Sequence, residues 1–148
     1  FEAEDERLKR TVALKMMLSL AGDETARRRF WREARAAASV NHPHICQIYE
    51  VGEDRGTLFI TMELLDGEPL NEQLKSGPLS VDQAVPMAID ILGALSAIHS
   101  RGIIHRDLKP SNVFLTRHGV KLLDFGLARP EVHEPLREPA AAGAQFHV

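Results

Sequence analysis

The chain has 148 residues, of which 44% are hydrophobic and 26% charged, enough for one domain with a buried core and unlike the composition of a disordered segment. A net charge of -3 and a pI near 6.2 give no basic field for nucleic acid. The lone Cys46 excludes an intrachain disulfide and fits a reducing, cytoplasmic setting; we expect no apolar run of membrane length and no signal peptide.

In chain order, Thr11 to Lys15 is a short β-type run. Asp23 is placed to cap a helix from about Glu24 to Val40, which Asn41-His42-Pro43 stops. Ala26, Phe30, Glu33 and Ala37 recur on one face of that helix, so a carboxylate points along its apolar side. Arg27, Arg28, Arg29, Arg32 and Arg35 read as its solvated face. Ile45 to Val51 and Leu58 to Glu63 are strand-like runs around Glu53-Asp54-Arg55-Gly56, a hairpin signal.

From residue 66 the character changes. Ser80-Val81-Asp82-Gln83 has the form of a capping box, and a helical apolar period runs on to Ile98 before Arg101-Gly102, with Pro86 inside it. Short strands are expected at Ile103-Ile104, Val113 to Leu115 and Val120 to Leu123, with a turn at Arg117-His118-Gly119. Beyond Arg129, three prolines and an alanine run suggest a poorly ordered tail over 130–148.

Two motifs carry chemistry: His105-Arg106-Asp107-Leu108-Lys109-Pro110-Ser111-Asn112, and Asp124-Phe125-Gly126. Phosphoryl transfer asks a protein for positioning and charge neutralisation. Asn112 and Asp124 are hard oxygen donors suited to Mg²⁺. Asp107 is placed to orient a substrate hydroxyl, since a carboxyl group with an ordinary pKa of about 3.9 is a weak base, and Lys109 to neutralise the moving group. Lys15 and Glu33 are a second pair: at an effective dielectric of about 20, unit charges about 4 Å apart attract by about 4 kcal/mol before desolvation is subtracted. The alternative for Glu33 is a surface pair with Arg29, worth about 0.3–0.5 kcal/mol.

With Val12-Ala13-Leu14-Lys15, Arg32-Glu33-Ala34-Arg35, Asn41-His42-Pro43-His44-Ile45 and Met62-Glu63, these motifs make residues 1 to about 129 resemble a eukaryotic-type serine/threonine protein kinase of the bacterial style. The resemblance implies an α+β, two-lobe fold. Residues 1–65 would be an N-lobe of antiparallel sheet plus one helix without a glycine-rich loop. Residues 66–129 would be a partial, mainly helical C-lobe with catalytic loop and Asp-Phe-Gly, and 130–148 a disordered or non-homologous tail. It implies ATP and Mg²⁺ as cofactors and a protein Ser/Thr hydroxyl as acceptor, Lys109 marking serine/threonine over tyrosine. Lys15, Glu33, Asp107 and Lys109 would be catalytic, and Asn112 and Asp124 the metal ligands. Met62 would be the gatekeeper, backbone groups of Glu63 and Leu65 would hold adenine, and Ala13 and Phe114 would pack on its faces. Ala37, Ile48, His105 and Phe125 would form the stack that registers the active state.

The chain departs from the family in two ways. Phe1-Glu2-Ala3-Glu4 resembles only the strand after the glycine loop, and no Ala-Pro-Glu segment is recognisable after Pro130. From Gly126 onward there is no Ser, Thr or Tyr, so Arg106 has no phosphate of this tail to meet. We therefore expect a truncated or frameshifted copy with weak activity or none, and a main helix with uncovered apolar surface. A non-catalytic kinase-derived regulatory module, paired with another kinase, and a small-molecule phosphotransferase of the same fold remain as rival readings.

Overall fold

The computed structural model describes residues 1–17 and 23–124. The tail over 130–148 expected to be disordered or non-homologous, and Phe125 and Gly126, therefore lie outside the described residues. Strands β1 (Glu2–Asp5), β2 (Arg10–Met17), β3 (Ile48–Asp54) and β4 (Thr57–Glu63) form an antiparallel sheet in the order β1-β2-β4-β3, with helix α1 (Glu24–Ala38) between β2 and β3 in sequence. A second sheet, β5-β6-β7, comprises Gly67–Pro69, Val113–Thr116 and Gly119–Leu122; a short helix α2 (Leu70–Gln73) and the long α3 (Val81–His99) lie between β5 and β6 in sequence.

The first helix begins where its cap dictates: the Asp23 side chain accepts from the Ala26 amide at 2.9 Å. It ends at Ala38, two residues before the expected limit, where the Ser39 amide closes the last turn. Its buried line is Phe30, Ala34 and Ala37 rather than a face centred on Glu33, so the carboxylate stands at the edge of the apolar stripe. The β3–β4 hairpin is tighter than expected. Pairing continues to Asp54↔Thr57, and the turn is Arg55-Gly56, both at positive φ (47° and 80°), which matches the right-handed twist of the strands. Ile45, expected in β3, instead makes an isolated parallel bridge to Leu122 of β7.

The capping box at α3 is complete, with Ser80 and Gln83 each satisfying the other's backbone amide. At the far end Gly102 (φ 71°) donates to His99 and Ile103 to Ile98. That crossed pair of bonds uses Ile103 to finish the helix and explains why Ile103-Ile104 is not the expected strand. Only Ala94 and Ile98 of α3 are buried; Val81, Val85, Ile89 and Leu92 are exposed, as the sequence led us to expect. One expectation is corrected here: this 19-residue helix, with Asp82 and Asp90 as its acidic residues, is long and apolar enough by length and composition to cross a membrane, a test that core helices of soluble proteins also pass.

A continuous core joins the two sheets: Phe30, Ala34 and Ala37 of α1 and Ile48, Leu58 and Ile60 of the first sheet cluster with Ala94, Ile98, Val113, Val120 and Leu122 of the second region. The segment 44–47 laces between them, Cys46 donating to the Leu122 carbonyl at 3.0 Å and Leu122 to the His44 carbonyl at 2.9 Å.

Candidate active site

Lys15 stands on β2 opposite Ile60, and Ala13, two residues earlier and so on the same face, stands opposite Met62. Glu63 ends β4; the backbone then runs through exposed Leu64 and half-buried Leu65 to β5. Phe114 of β6 is half-buried, with Pro69 and Lys121 as its cross-strand neighbours. The Lys121 ammonium meets the Glu63 carboxylate at 2.8 Å, which ties the second sheet to the end of the first beside these residues.

The catalytic-loop motif folds as a compact knot. His105 is buried, and burial lowers its pKa, so the imidazole is held neutral, the role of a core histidine. Arg106 adopts positive φ (61°), and the Asp107 amide turns back to the His105 carbonyl at 2.8 Å. A 3-10 turn over Pro110–Asn112 then buries Asn112, whose amide nitrogen donates to the backbone carbonyl of Asp107 at 2.8 Å and to its carboxylate at 3.0 Å. Lys109 meets the same carboxylate at 2.8 Å. With its nitrogen committed to Asp107, the amide oxygen is the Asn112 atom that could ligate a metal ion.

The Leu123 amide donates to the Asn112 carbonyl at 2.9 Å and so sets Asp124 beside the loop. Asp124 is again at positive φ (51°), and its carboxylate lies 2.6 Å from the Lys15 ammonium. Two non-glycine residues of the motifs thus sit in the sparsely populated left-handed region, a strain that surrounding structure must hold and that clusters at functional sites. Lys15, Asp124, Asn112, Asp107 and Lys109 form one linked line across both sheets. The chemistry of the donors fits Mg²⁺: one amide oxygen and one carboxylate on adjacent backbone, for an ion that takes few protein ligands and keeps water and phosphate oxygens for the rest. Among the described residues no group of three or more His, Cys, Asp or Glu side chains could itself cage a metal.

One expected pairing is corrected. Lys15 does not bind Glu33; its partner is Asp124, and Glu33 binds Arg106 at 3.2 Å. Neither does Glu33 take the surface alternative, Arg29. The physical reason is the helix rotation described above: Glu33 stands at the stripe's edge, where the guanidinium that precedes Asp107 reaches it. Sequence reasoning left Arg106 without a partner, and nothing local in the sequence marks a contact that spans 73 positions. Of the expected stack, Ala37, Ile48 and His105 are all buried; Phe125 lies outside the described residues.

The sequence profile of the Protein kinase domain family matches residues 1–142. The chain therefore belongs to the protein kinase domain family. It is 48% identical over 136 residues to a "probable serine/threonine-protein kinase" of Streptomyces coelicolor, covering 87% of this chain and 20% of that protein. With the serine/threonine-protein kinase PknA of Mycobacterium tuberculosis it shares 42% over 137 residues, covering 87% of this chain and 32% of PknA. Among solved structures, the kinase domain of M. tuberculosis PknI superposes with a TM-score of 0.78 at 35% identity, covering 86% of this chain and 53% of that one. The chain thus spans a fifth to a third of the length of these curated relatives, and about half of the solved kinase domain.

Proposed function

We propose that this chain is the nucleotide-handling part of a serine/threonine protein kinase, which transfers the γ-phosphoryl group of ATP to a protein Ser/Thr hydroxyl, and that the chain by itself transfers weakly or not at all. The observation that carries the first half is a set of contacts in which Lys15 meets Asp124, the neighbouring Leu123 amide meets the Asn112 carbonyl, and Asn112 and Lys109 both meet the Asp107 carboxylate. Mg²⁺, when bound, neutralises charge on the β- and γ-phosphoryl oxygens. Asn112 and Asp124 would hold it, while Lys15 would serve the α- and β-phosphate oxygens. Asp107 would orient the acceptor hydroxyl, and Lys109 would balance the charge of the group in flight. Ala13, Met62, Phe114 and the backbone of Glu63 and Leu65 would receive the adenine.

The second half rests on how the charges are paired. Lys15 is occupied by Asp124 and Glu33 by Arg106, so the cation meant for phosphate and the carboxylate meant to steady it are both engaged elsewhere. The same observation favours the alternative reading, a non-catalytic kinase-derived module acting through a second kinase copy. A cytoplasmic setting belongs to the proposal as well, on the ground of the single cysteine alone.

Transfer from labelled ATP to a generic Ser/Thr protein substrate, with and without Mg²⁺, tests the assignment when compared with Asp124→Asn. The expected result is a low rate in the chain that falls to background in the variant. Robust transfer would overturn the weak-activity reading; Mg²⁺-dependent nucleotide binding without transfer would select the module, and binding unaffected by Asp124→Asn would remove the site assignment.

A further inference from the structure

Glu63 has more anchors than a strand-terminal glutamate needs. Its carboxylate receives the Lys121 ammonium at 2.8 Å and the Gln47 backbone amide at 3.3 Å, and its own amide donates to the Gln47 carbonyl at 2.9 Å. Lys121 also reaches the Ile45 carbonyl, 3.5 Å away. Three separate pieces of chain therefore meet here: the end of β4, the 44–47 segment and β7. The charged side chains are 18% and 28% exposed, so the pair is partly shielded from water rather than a solvated surface contact.

The position of Lys121 gives the clamp its meaning. Lys121 is the direct cross-strand partner of Phe114 in the β6–β7 pair, so the two side chains leave the same face of the second sheet. Phe114 is the residue proposed to pack beneath the base, and Glu63 to Leu65 supply the backbone proposed to bind its edge. One ion pair thus spans from the floor's sheet to the linker that must stay in register above it.

We propose that Lys121 is a positioning residue for the purine base: through the Glu63 carboxylate it fixes the Glu63–Leu65 backbone over Phe114, so that the linker is ordered before a nucleotide arrives. The inference rests on the nucleotide-site reading given above. A linker ordered in advance saves the entropy that binding would otherwise spend on immobilising it. The gain belongs to the base and not to the phosphates, because the Lys121–Glu63 pair is separate from the Lys15–Asp124 pair proposed to face them.

The test uses the full chain and two readouts. Hydrogen exchange at the amides of residues 63–65 is followed without nucleotide, and affinities for Mg·ADP and Mg·tripolyphosphate are measured in parallel. Lys121→Met is expected to speed exchange at the linker and weaken ADP by about fivefold, leaving tripolyphosphate unchanged, while Lys121→Arg restores both. Equal losses for ADP and tripolyphosphate would reveal general damage and overturn the positioning role, as would unchanged exchange in Lys121→Met. If that variant does not fold, Glu63→Gln removes the same ion pair and must show the same selective loss. A wild-type chain that fails to bind ADP sinks the nucleotide reading instead; the clamp is then judged on exchange alone, and no acceleration rejects it.

Discussion

The two helices that flank the core make opposite use of their apolar residues. In α1 the apolar stripe is narrow and fully used, with Phe30, Ala34 and Ala37 buried and arginines on the opposite side. In α3 the apolar residues run around most of the helix, yet the chain covers only the strip containing Ala94 and Ile98 and leaves Val81, Val85, Ile89 and Leu92 in the open. The first helix spends its whole apolar stripe on the core that the two sheets share. The second region carries the 105–112 loop after a helix that is packed on one side only, while Lys15 comes from the better packed first region.

The largest expected effect lies in the first region. Phe30→Ala removes a large side chain from the core between α1 and the first sheet and should cost about 3–5 kcal/mol in urea unfolding. The matched substitution on the other helix, Ile89→Ala at an exposed position, should stay within about 0.5 kcal/mol. If Ile89 costs as much as Phe30, the contrast between the helices is wrong. A companion double substitution, Ile89→Glu with Leu92→Lys, should reduce binding of an apolar dye and raise solubility while leaving the unfolding midpoint nearly unmoved.

How much of this was legible in the sequence follows the same divide between local and distant contacts. Asp23, Ser80 and Gln83 announced their helices because capping is settled within four residues. The positions of Asp107, Lys109, Asn112 and Asp124 were readable from residue type and spacing, and the structure sets them in irregular segments and a 3-10 turn flanking β6 and β7. The pairing of charges was not. Whether Glu33 meets Lys15, Arg29 or Arg106 depends on a few tens of degrees of helix rotation and on tertiary distance, which no periodicity records. β5 and α2 escaped notice because Gly67–Pro69 has no strand pattern of its own and is held by β6. Ile103-Ile104 misled because apolar β-branched residues also finish helices.

The Glu33–Arg106 contact is one of the ion pairs that join the two regions, and it should be weak. Arg106 is 58% exposed, so a double-mutant cycle with Glu33→Gln and Arg106→Gln is expected to give about 0.2–1 kcal/mol. Its consequence for the site is larger than its energy: releasing Glu33 in Arg106→Gln makes it available to Lys15. Lys15 modification by an amine-reactive nucleotide analogue reads that change. Unaltered labelling in Arg106→Gln would show that the backbone or the Asp124 pair, and not Arg106, keeps Lys15 and Glu33 apart.

The smallest effects are those of pH, and they take opposite signs for the buried imidazoles and the buried thiol. Burial lowers the pKa of His105 in the catalytic loop and, with nearby His44 and Lys121, that of His42. A histidine that titrates lower when folded binds fewer protons in the native state, so stability is complete above about pH 6.5, the unfolded value, and is lost as pH falls toward the folded value. Cys46 acts in the other direction: burial, aided by Glu63, pushes its thiol up from 9.0 to about 12. The unfolded thiol then ionises first, and stability declines as pH rises above about 9. Urea midpoints should be flat between about pH 7 and 9 and fall on both sides, with Cys46→Ala flattening only the alkaline limb. If Cys46→Ala leaves that limb unchanged, the thiol is ionising in the folded chain as readily as in water, and the packing of the 44–47 segment against β7 is looser than its hydrogen bonds imply.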